Sequence, residues 1–236
     1  MKRSQEYYDD FSRSYEKQRS EGYHFLIDEL EVEIAATYLD GARVLEIGCG
    51  TGLILERLRK RAAFACGFDL SPKMVQKARD RGLNVVLGNV LNIPFADNCF
   101  DLVCSYKVLA HVPEIGRAIT EIARVTKPGG RMVLEFYNPY SLRYLAKRIA
   151  GPRPIGEGRT EAEVYTRWDA PQVIPRLLPP AIEVEAFYGV RVITPFAAVF
   201  EIPFLARALS AIERKAVASP LRYFGGFLVT VLKKRT

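Results

Sequence analysis

An α/β fold with a doubly wound, mostly parallel seven-stranded sheet is the architecture this chain predicts. Three observations carry that expectation. Short apolar runs alternate with helical stretches from Arg43 to Tyr137. Gly48, Gly50 and Gly52 stand at i, i+2 and i+4, between the first apolar run and the helix after it. An acid, Asp69, closes the second run, where parallel sheets gather the residues that touch ligands.

The elements follow in order. Residues 5–39 read as helical. Arg43 to Ile47 is a short buried strand, followed by the glycine turn and a helix from about Leu53 to Arg61. Ala62 to Asp69 is the second strand. Ser71-Pro72 supplies an N-cap and a first-turn proline for a helix reaching Arg81, and Gly82 stops it. Asn84 to Leu87 is the third strand and Phe100 to Ser105 the fourth. A helix spans Pro113 to Val125. Lys127 to Gly130 reads as a tight turn before a fifth strand, Arg131 to Tyr137. Past Tyr137 the alternation weakens. A helix and then a loop cover 139–168, around Gly151-Pro152-Arg153-Pro154, and another helix begins at Asp169. Ile182 to Val190 and Phe224 to Leu232 read as strands six and seven. An apolar insertion, within about 193–220, precedes the last strand and is expected to be helical. The whole chain, 1–236, reads as one domain.

Composition narrows the class. The chain has 236 residues, 49% of them apolar, enough for one globular core. No apolar run approaches the roughly 20 residues that span a bilayer, and the polar opening stretch has no signal-peptide core. A cytoplasmic location is the expectation. The four cysteines form no CxxC pair and no Cys/His cluster, so no metal site is expected. The net charge of +7 is unevenly placed. Residues 1–138 carry 19 basic and 19 acidic side chains, and residues 139–236 carry 15 and 8. A neutral core followed by a basic region fits this split, as does an ordinary solvated surface.

The glycine loop discriminates between ligands. Glycine allows the sharp turn and lets a ligand approach the main chain, and a following helix start favours a carboxylate or phosphate. A dinucleotide fingerprint requires Gly-x-Gly-x-x-Gly, but Leu53 stands where its third glycine belongs. A P-loop requires Gly-Lys-Ser/Thr, which is absent. Asp69 can accept both hydroxyls of a ribose, and it also suits an N-cap. Asn89, after the third strand, can donate to and accept from an adenine edge, or simply serve a turn.

VLEIGCGTG, GFDLSPKMVQKAR, LGNVLNIPFADNCFDLVCSYKVLAHVPE and ITEIARVTKPGGRMVLEFYNP resemble the successive motifs of class I S-adenosylmethionine-dependent methyltransferases. Within these the likeness is to the ubiquinone/menaquinone-type and related small-molecule enzymes. It covers about residues 40–138. The resemblance implies a Rossmann-like methyltransferase fold and S-adenosyl-L-methionine as cofactor. It implies a lid over 1–40, a cofactor-binding core over 41–138 and an acceptor-side region over 139–236. By position, Glu46 would anchor the methionine end, and Gly48, Cys49, Gly50 and Gly52 would form the cofactor loop. Asp69 would hold the ribose, with Leu70 and Met74 against the adenine and Asn89 and Val90 flanking it. Tyr106 would line the methionine arm. The family often has Asp where Asn89 stands. YYDDFSRSYEKQR resembles the family's lid helix, and Tyr7, Tyr8 and Tyr15 would belong to it, Tyr15 contacting the cofactor.

Methyl transfer from a sulfonium is an in-line displacement that positioning alone greatly assists. A hydroxyl acceptor gains from a general base. His111, just past strand four, is the candidate, although a capping or packing role suits it equally; His24 is weaker. Tyr106, Tyr137 and Arg167 are candidates for lining the acceptor pocket. Strand four ends Ser105-Tyr106-Lys107, without the Asn/Asp-Pro-Pro-aromatic motif of nucleobase N-methylation, which argues against nucleic acid. The expected acceptor is a small molecule. The apolar insertion beside basic residues suits a hydrophobic or lipid-linked acceptor and peripheral membrane contact, or alternatively a dimer interface. A monomer and a homodimer fit equally. Two other classes compete: an NAD-type oxidoreductase, which Leu53 argues against, and an inactive S-adenosylmethionine-binding partner protein.

Overall fold

The computed structural model describes residues 2–12, 15–16, 19, 22–151, 154–155, 159–160, 164–194 and 197–236. Its centre is a seven-stranded sheet of order β3-β2-β1-β4-β5-β9-β8. The strands are β1 (Arg43–Ile47), β2 (Phe64–Asp69), β3 (Val85–Leu87), β4 (Phe100–Ser105), β5 (Thr126–Tyr137), β8 (Ile182–Val190) and β9 (Phe227–Lys234). The pairings among β1 to β5 are parallel, whereas β9 runs antiparallel to both β5 and β8. Two short strands, β6 (Pro154–Ile155) and β7 (Arg159–Thr160), pair with each other outside this sheet.

The helices are α1 (Lys2–Phe11), α2 (Gly22–Ala36), α3 (Leu53–Leu58), α4 (Pro72–Asp80), α5 (Ile115–Val125), α6 (Leu142–Ala150) and α7 (Pro203–Ala216). Parallel strands joined by crossovers need cover on both faces, and the core divides accordingly. Leu45, Ile47, Val103 and Leu134 pack with Ile115, Ile119 and Ile122 of α5 on one face. Val44, Leu102, Cys104 and Val133 pack with Leu26, Ile27, Leu30 and Ile34 of α2 on the other. Ile119 and Ile122 are fully buried, each stabilising the fold by about 1.5–3 kcal/mol. Ser71 caps α4, its Oγ accepting from the Met74 N–H at 3.1 Å, and Gly82 ends that region with a left-handed φ of 71°.

Several boundaries differ from expectation. The opening stretch, expected to be helical over 5–39, forms two helices, with the described residues between them, Ser12, Tyr15, Glu16 and Arg19, in neither. Lys127 to Gly130 is not a turn but the bulged start of β5, whose register against β4 shifts between Phe100 and Leu102. A Cβ on Gly130 would lie 3.0 Å from the Asp101 carbonyl oxygen, so the glycine lets the chain run close along β4. The helix expected at Asp169 is only a 3-10 turn, Ile174–Leu177, because prolines at 171, 175, 179 and 180 remove the donors of a longer one. The insertion is helical, as Ala197–Glu201 and α7; Pro195 and Phe196 lie outside the described residues. Among the described residues no helix is long and apolar enough to cross a membrane.

Candidate active site at the carboxyl edge of the sheet

The glycine loop leaves the end of β1 with Gly48, Gly50 and Gly52 all left-handed, at φ 66°, 55° and 86°. The three are not equivalent. A Cβ on Gly48 would lie 2.2 Å from Val108 Cγ2, and one on Gly52 2.2 Å from Leu83 Cδ1. These two glycines allow the loop to pack against the protein. A Cβ on Gly50 would meet only the Tyr15 ring, at 3.7 Å, so Gly50 faces the lid. The Cys49 side chain turns back against Gly67, which leaves only its backbone for a ligand. Burial pushes its thiol well up, so the thiol stays neutral.

Asp69 ends β2 directly beside this loop. Its Oδ2 accepts from the Gly50 N–H and its Oδ1 from the Ser71 N–H, both at 2.9 Å. Burial raises its pKa, and those amide donors oppose the rise. Glu46, one residue before the end of β1, is buried, and its Oε2 has no hydrogen-bond partner. Burial, reinforced by Asp28, lifts its pKa well above the ordinary glutamate range. Met74 is buried behind the Ser71 cap, and Leu70 is half-buried. Asn89 Oδ1 accepts from the Leu91 N–H at 3.0 Å, and Val90 packs into the core with Phe68 and Ile93. Tyr106 is buried, and its hydroxyl donates to the Glu31 carbonyl of α2 at 3.1 Å.

The N-terminal segment closes over this edge. Asp9 accepts from Ser71 Oγ and from the Lys73 N–H, so α1 supplies a second cap to α4. Lys77 Nζ donates to the Ser12 carbonyl at 2.6 Å. Tyr15 lies over Gly50 and carries the Arg19 guanidinium 4.2 Å from its ring centre. Burial pushes the Tyr15 phenol up to about 12. Tyr8 lies within electrostatic reach of Tyr137, Tyr7, Asp69 and Tyr15. Beneath the segment is a buried ionic cluster. Lys107 Nζ lies 3.1 Å from Asp28 and 2.7 Å from the Glu31 carboxylate. Arg19 also pairs with Asp28, at 3.0 Å. Burial would depress Lys107, but Glu31, Asp28 and Glu135 together raise its pKa. Burial raises both Glu31 and Glu135, and Lys107 opposes both rises.

His111 stands apart from this cluster, past the end of β4 in the 3-10 turn Leu109–His111. Its Nδ1 is 2.9 Å from the Tyr165 carbonyl, and its Nε2 is 3.5 Å from the Tyr137 hydroxyl. A carbonyl can only accept, so Nδ1 carries the proton and Nε2 presents its lone pair. Tyr137 packs against Trp168 and Phe227, and the Arg143 guanidinium sits 4.0 Å from the Tyr137 ring centre. Arg167, which the sequence suggested for this pocket, is paired to Asp169 at 2.7 Å. Its N–H donates to the Ala110 carbonyl, which pins the 164–170 segment over His111.

Residues 45–134 match the family described as Methyltransferase domain. They form a class I S-adenosylmethionine-dependent methyltransferase domain. A demethylmenaquinone methyltransferase of Corynebacterium glutamicum is 39% identical over 100 residues, 42% of this chain and 44% of that one. A second, from Mycobacterium marinum, is 37% identical over 133 residues, 53% of this chain and 58% of that one. The match therefore spans about half the length of these relatives. A solved SAM-dependent methyltransferase of Thermotoga maritima superposes with a TM-score of 0.66 at 20% identity, covering 97% of this chain and 99% of that one. At that identity the likeness is one of fold.

The methyltransferase domain's cofactor, S-adenosyl-L-methionine, fits the residues present. Glu46 Oε2 is a buried acceptor without a donor, suited to the cationic methionine end. The bare Gly50 backbone lies between Asp69 and Tyr15. The domain match favours methyl transfer over the nicotinamide reading. Three contributors were missed from sequence: Arg143, Trp168 and Asp9. Trp168 is the chain's single tryptophan, a signal that could have been used; Arg143 and Asp9 stand out only once the fold brings them to this edge.

Proposed function

We propose that this chain methylates a small hydrophobic aromatic acceptor carrying an acidic hydroxyl, of the quinol type, with S-adenosyl-L-methionine as donor. The observation that carries the reading is the His111–Tyr137 pair, with its tautomer set by the Tyr165 carbonyl and its walls made of Trp168 and Phe227. The names of the matched relatives agree with a quinone-type acceptor.

The cofactor supplies a methyl group on a sulfonium, whose departure leaves a neutral thioether. Gly50, Asp69, Glu46 and Tyr15 would bind and orient it, with Met74, Leu70 and Asn89 held for its adenine side. Tyr8, half-buried and within electrostatic reach of both Asp69 and Tyr137, would help keep water from the space where donor and acceptor meet. His111 Nε2 takes the acceptor's hydroxyl proton, either directly or through the Tyr137 hydroxyl. The acceptor gains the methyl group, and the proton ends on imidazole. Arg143, held against Tyr137, stabilises the anionic oxygen left when that proton is removed, and this oxygen is the atom that takes the methyl group.

The test is methyl transfer from labelled S-adenosylmethionine to soluble dihydroxynaphthalene and phenolic acceptors. His111→Asn is expected to lower kcat about a hundredfold without weakening S-adenosylhomocysteine binding. An unchanged kcat would remove His111 from the base role. Transfer to amines alone would overturn the acceptor class.

A further inference from the structure

Helix α6 has two working faces. Inward, Tyr144 packs on Trp168 with ring centres 4.8 Å apart, and Arg143 reaches Tyr137. Outward, Leu142, Leu145 and Ile149 are 48%, 55% and 79% exposed. They fall at i, i+3 and i+7, one stripe of a helix. Tyr140, just before the helix, is 51% exposed, and Arg148 lines the same open groove as Leu145 and Ile149. A second exposed apolar group stands on a neighbouring element. Asn138 Nδ2 donates to the carbonyls of Tyr223 and Gly225, which ties the start of α6 to the 3-10 turn Pro220–Phe224. In that turn Leu221 and Phe224 are each 51% exposed, with Arg222 between them.

An apolar ridge of this kind on a free surface marks an interaction site. Charge selects the occupant. The chain's net positive charge falls in residues 139–236, and Lys147, Arg148 and Arg222 stand on the same two elements as the ridge. A second copy would bring like charges together, whereas an anionic lipid surface offers both the apolar layer and the counter-charge. We propose that the ridge formed by Leu142, Leu145, Ile149, Leu221 and Phe224 docks this protein on anionic bilayers. The docked helix places its inner face, Arg143 and Tyr144, next to the proposed acceptor site. A lipid-tailed acceptor then presents its head group without leaving the bilayer. That last advantage rests on the acceptor reading above; the docking does not.

The experiment is vesicle flotation of the full chain without any acceptor. It compares phosphatidylcholine vesicles holding about 30% phosphatidylglycerol with pure phosphatidylcholine. The expected result is flotation on the anionic vesicles, reduced by high salt. Leu145→Glu with Ile149→Glu should lower the partition about tenfold or more, with S-adenosylhomocysteine affinity unchanged. Should the glutamates disturb folding, Leu145→Ser with Ile149→Ser reads the same loss. Absence of flotation, or equal flotation by a folded variant, overturns the proposal. So does a dimer that the variants dissociate, which would assign the ridge to a second copy. Activity on soluble acceptors is a separate readout: its failure with docking intact would count against the acceptor reading alone.

Discussion

Asp69 accepts a hydrogen bond from the Gly50 backbone N–H at 2.9 Å, joining the end of β2 to the loop after β1. The carboxylate scaffolds the loop, and the proposed cofactor role would have it present oxygens to a ligand as well. Asp69→Ala removes both, and S-adenosylhomocysteine affinity measured by calorimetry should fall about ten- to a hundredfold. Asp69→Asn keeps an acceptor for one amide and should lose less. Unchanged affinity in the alanine variant would take Asp69 out of the site.

The three loop glycines should respond differently to alanine. Gly48 and Gly52 combine a left-handed φ with a 2.2 Å clash, against Val108 and Leu83. Gly52→Ala is expected to cost about 2–3 kcal/mol of unfolding free energy, as strain and overpacking add. Gly50→Ala carries the strain but meets nothing closer than Tyr15 at 3.7 Å, so about 1 kcal/mol is expected. Its larger effect should be on cofactor affinity and on lid closure. Denaturant melts beside calorimetry separate the two; equal stability losses would contradict the packing distinction.

Glu46 gives the cofactor site a pH dependence of known sign. Burial raises its pKa, so the folded chain without cofactor favours the neutral carboxyl. A cationic methionine end favours the carboxylate, so binding should release a proton. Affinity should accordingly climb as pH rises above the ordinary glutamate range, levelling once the raised pKa is passed. The same shift makes Glu46 oppose folding as it ionises, so its contribution to stability is lost as pH rises through that pKa. Calorimetry of S-adenosylhomocysteine in two buffers of different ionisation enthalpy reads the released proton. Glu46→Gln should abolish the release; a release that persists assigns it elsewhere.

The parts of the fold legible in sequence were those where local signals agree. β4 and β8 begin and end where the apolar runs do, because turn formers bound those runs: Asp97-Asn98 before β4, Pro179-Pro180 before β8, and Arg191, at a left-handed φ of 60°, after it. Ser71-Pro72 marked the start of α4 for the same reason. The misread turn at Lys127 to Gly130 shows the limit. Pro and two glycines signal a turn locally, but β4 lies alongside and recruits the segment as a bulge. In the candidate site, the left-handed loop and its contact with Asp69 were legible because they depend on backbone and chain position. Arg143 and Trp168 were not, since they meet Tyr137 only through a long-range fold. Tyr106 was legible as a position but not as a contact: its hydroxyl is held by α2, which no local pattern near strand four reveals.

The lid offers the sharpest test of coupling between fold and function. Asp9 holds α1 to the start of α4 through Ser71 and Lys73, and Ser71 also donates its backbone N–H to Asp69. One residue thus connects the lid's anchor to the cofactor's acid. Asp9→Ala should loosen α1 at a cost of about 1 kcal/mol, as for the loss of a helix cap, and should speed S-adenosylhomocysteine release about fivefold. Glu16→Gln breaks the lid's pairing with Arg81, but that pair is only half-buried and open to solvent screening, so either quantity should change by less than about 1 kcal/mol. Hydrogen exchange over residues 2–12 and stopped-flow release report the two effects separately. Faster exchange with unchanged release would mean that the lid closes over the edge of the sheet without retaining the cofactor. Faster release in both variants would place the lid's hold in its overall charge rather than in the Asp9 cap.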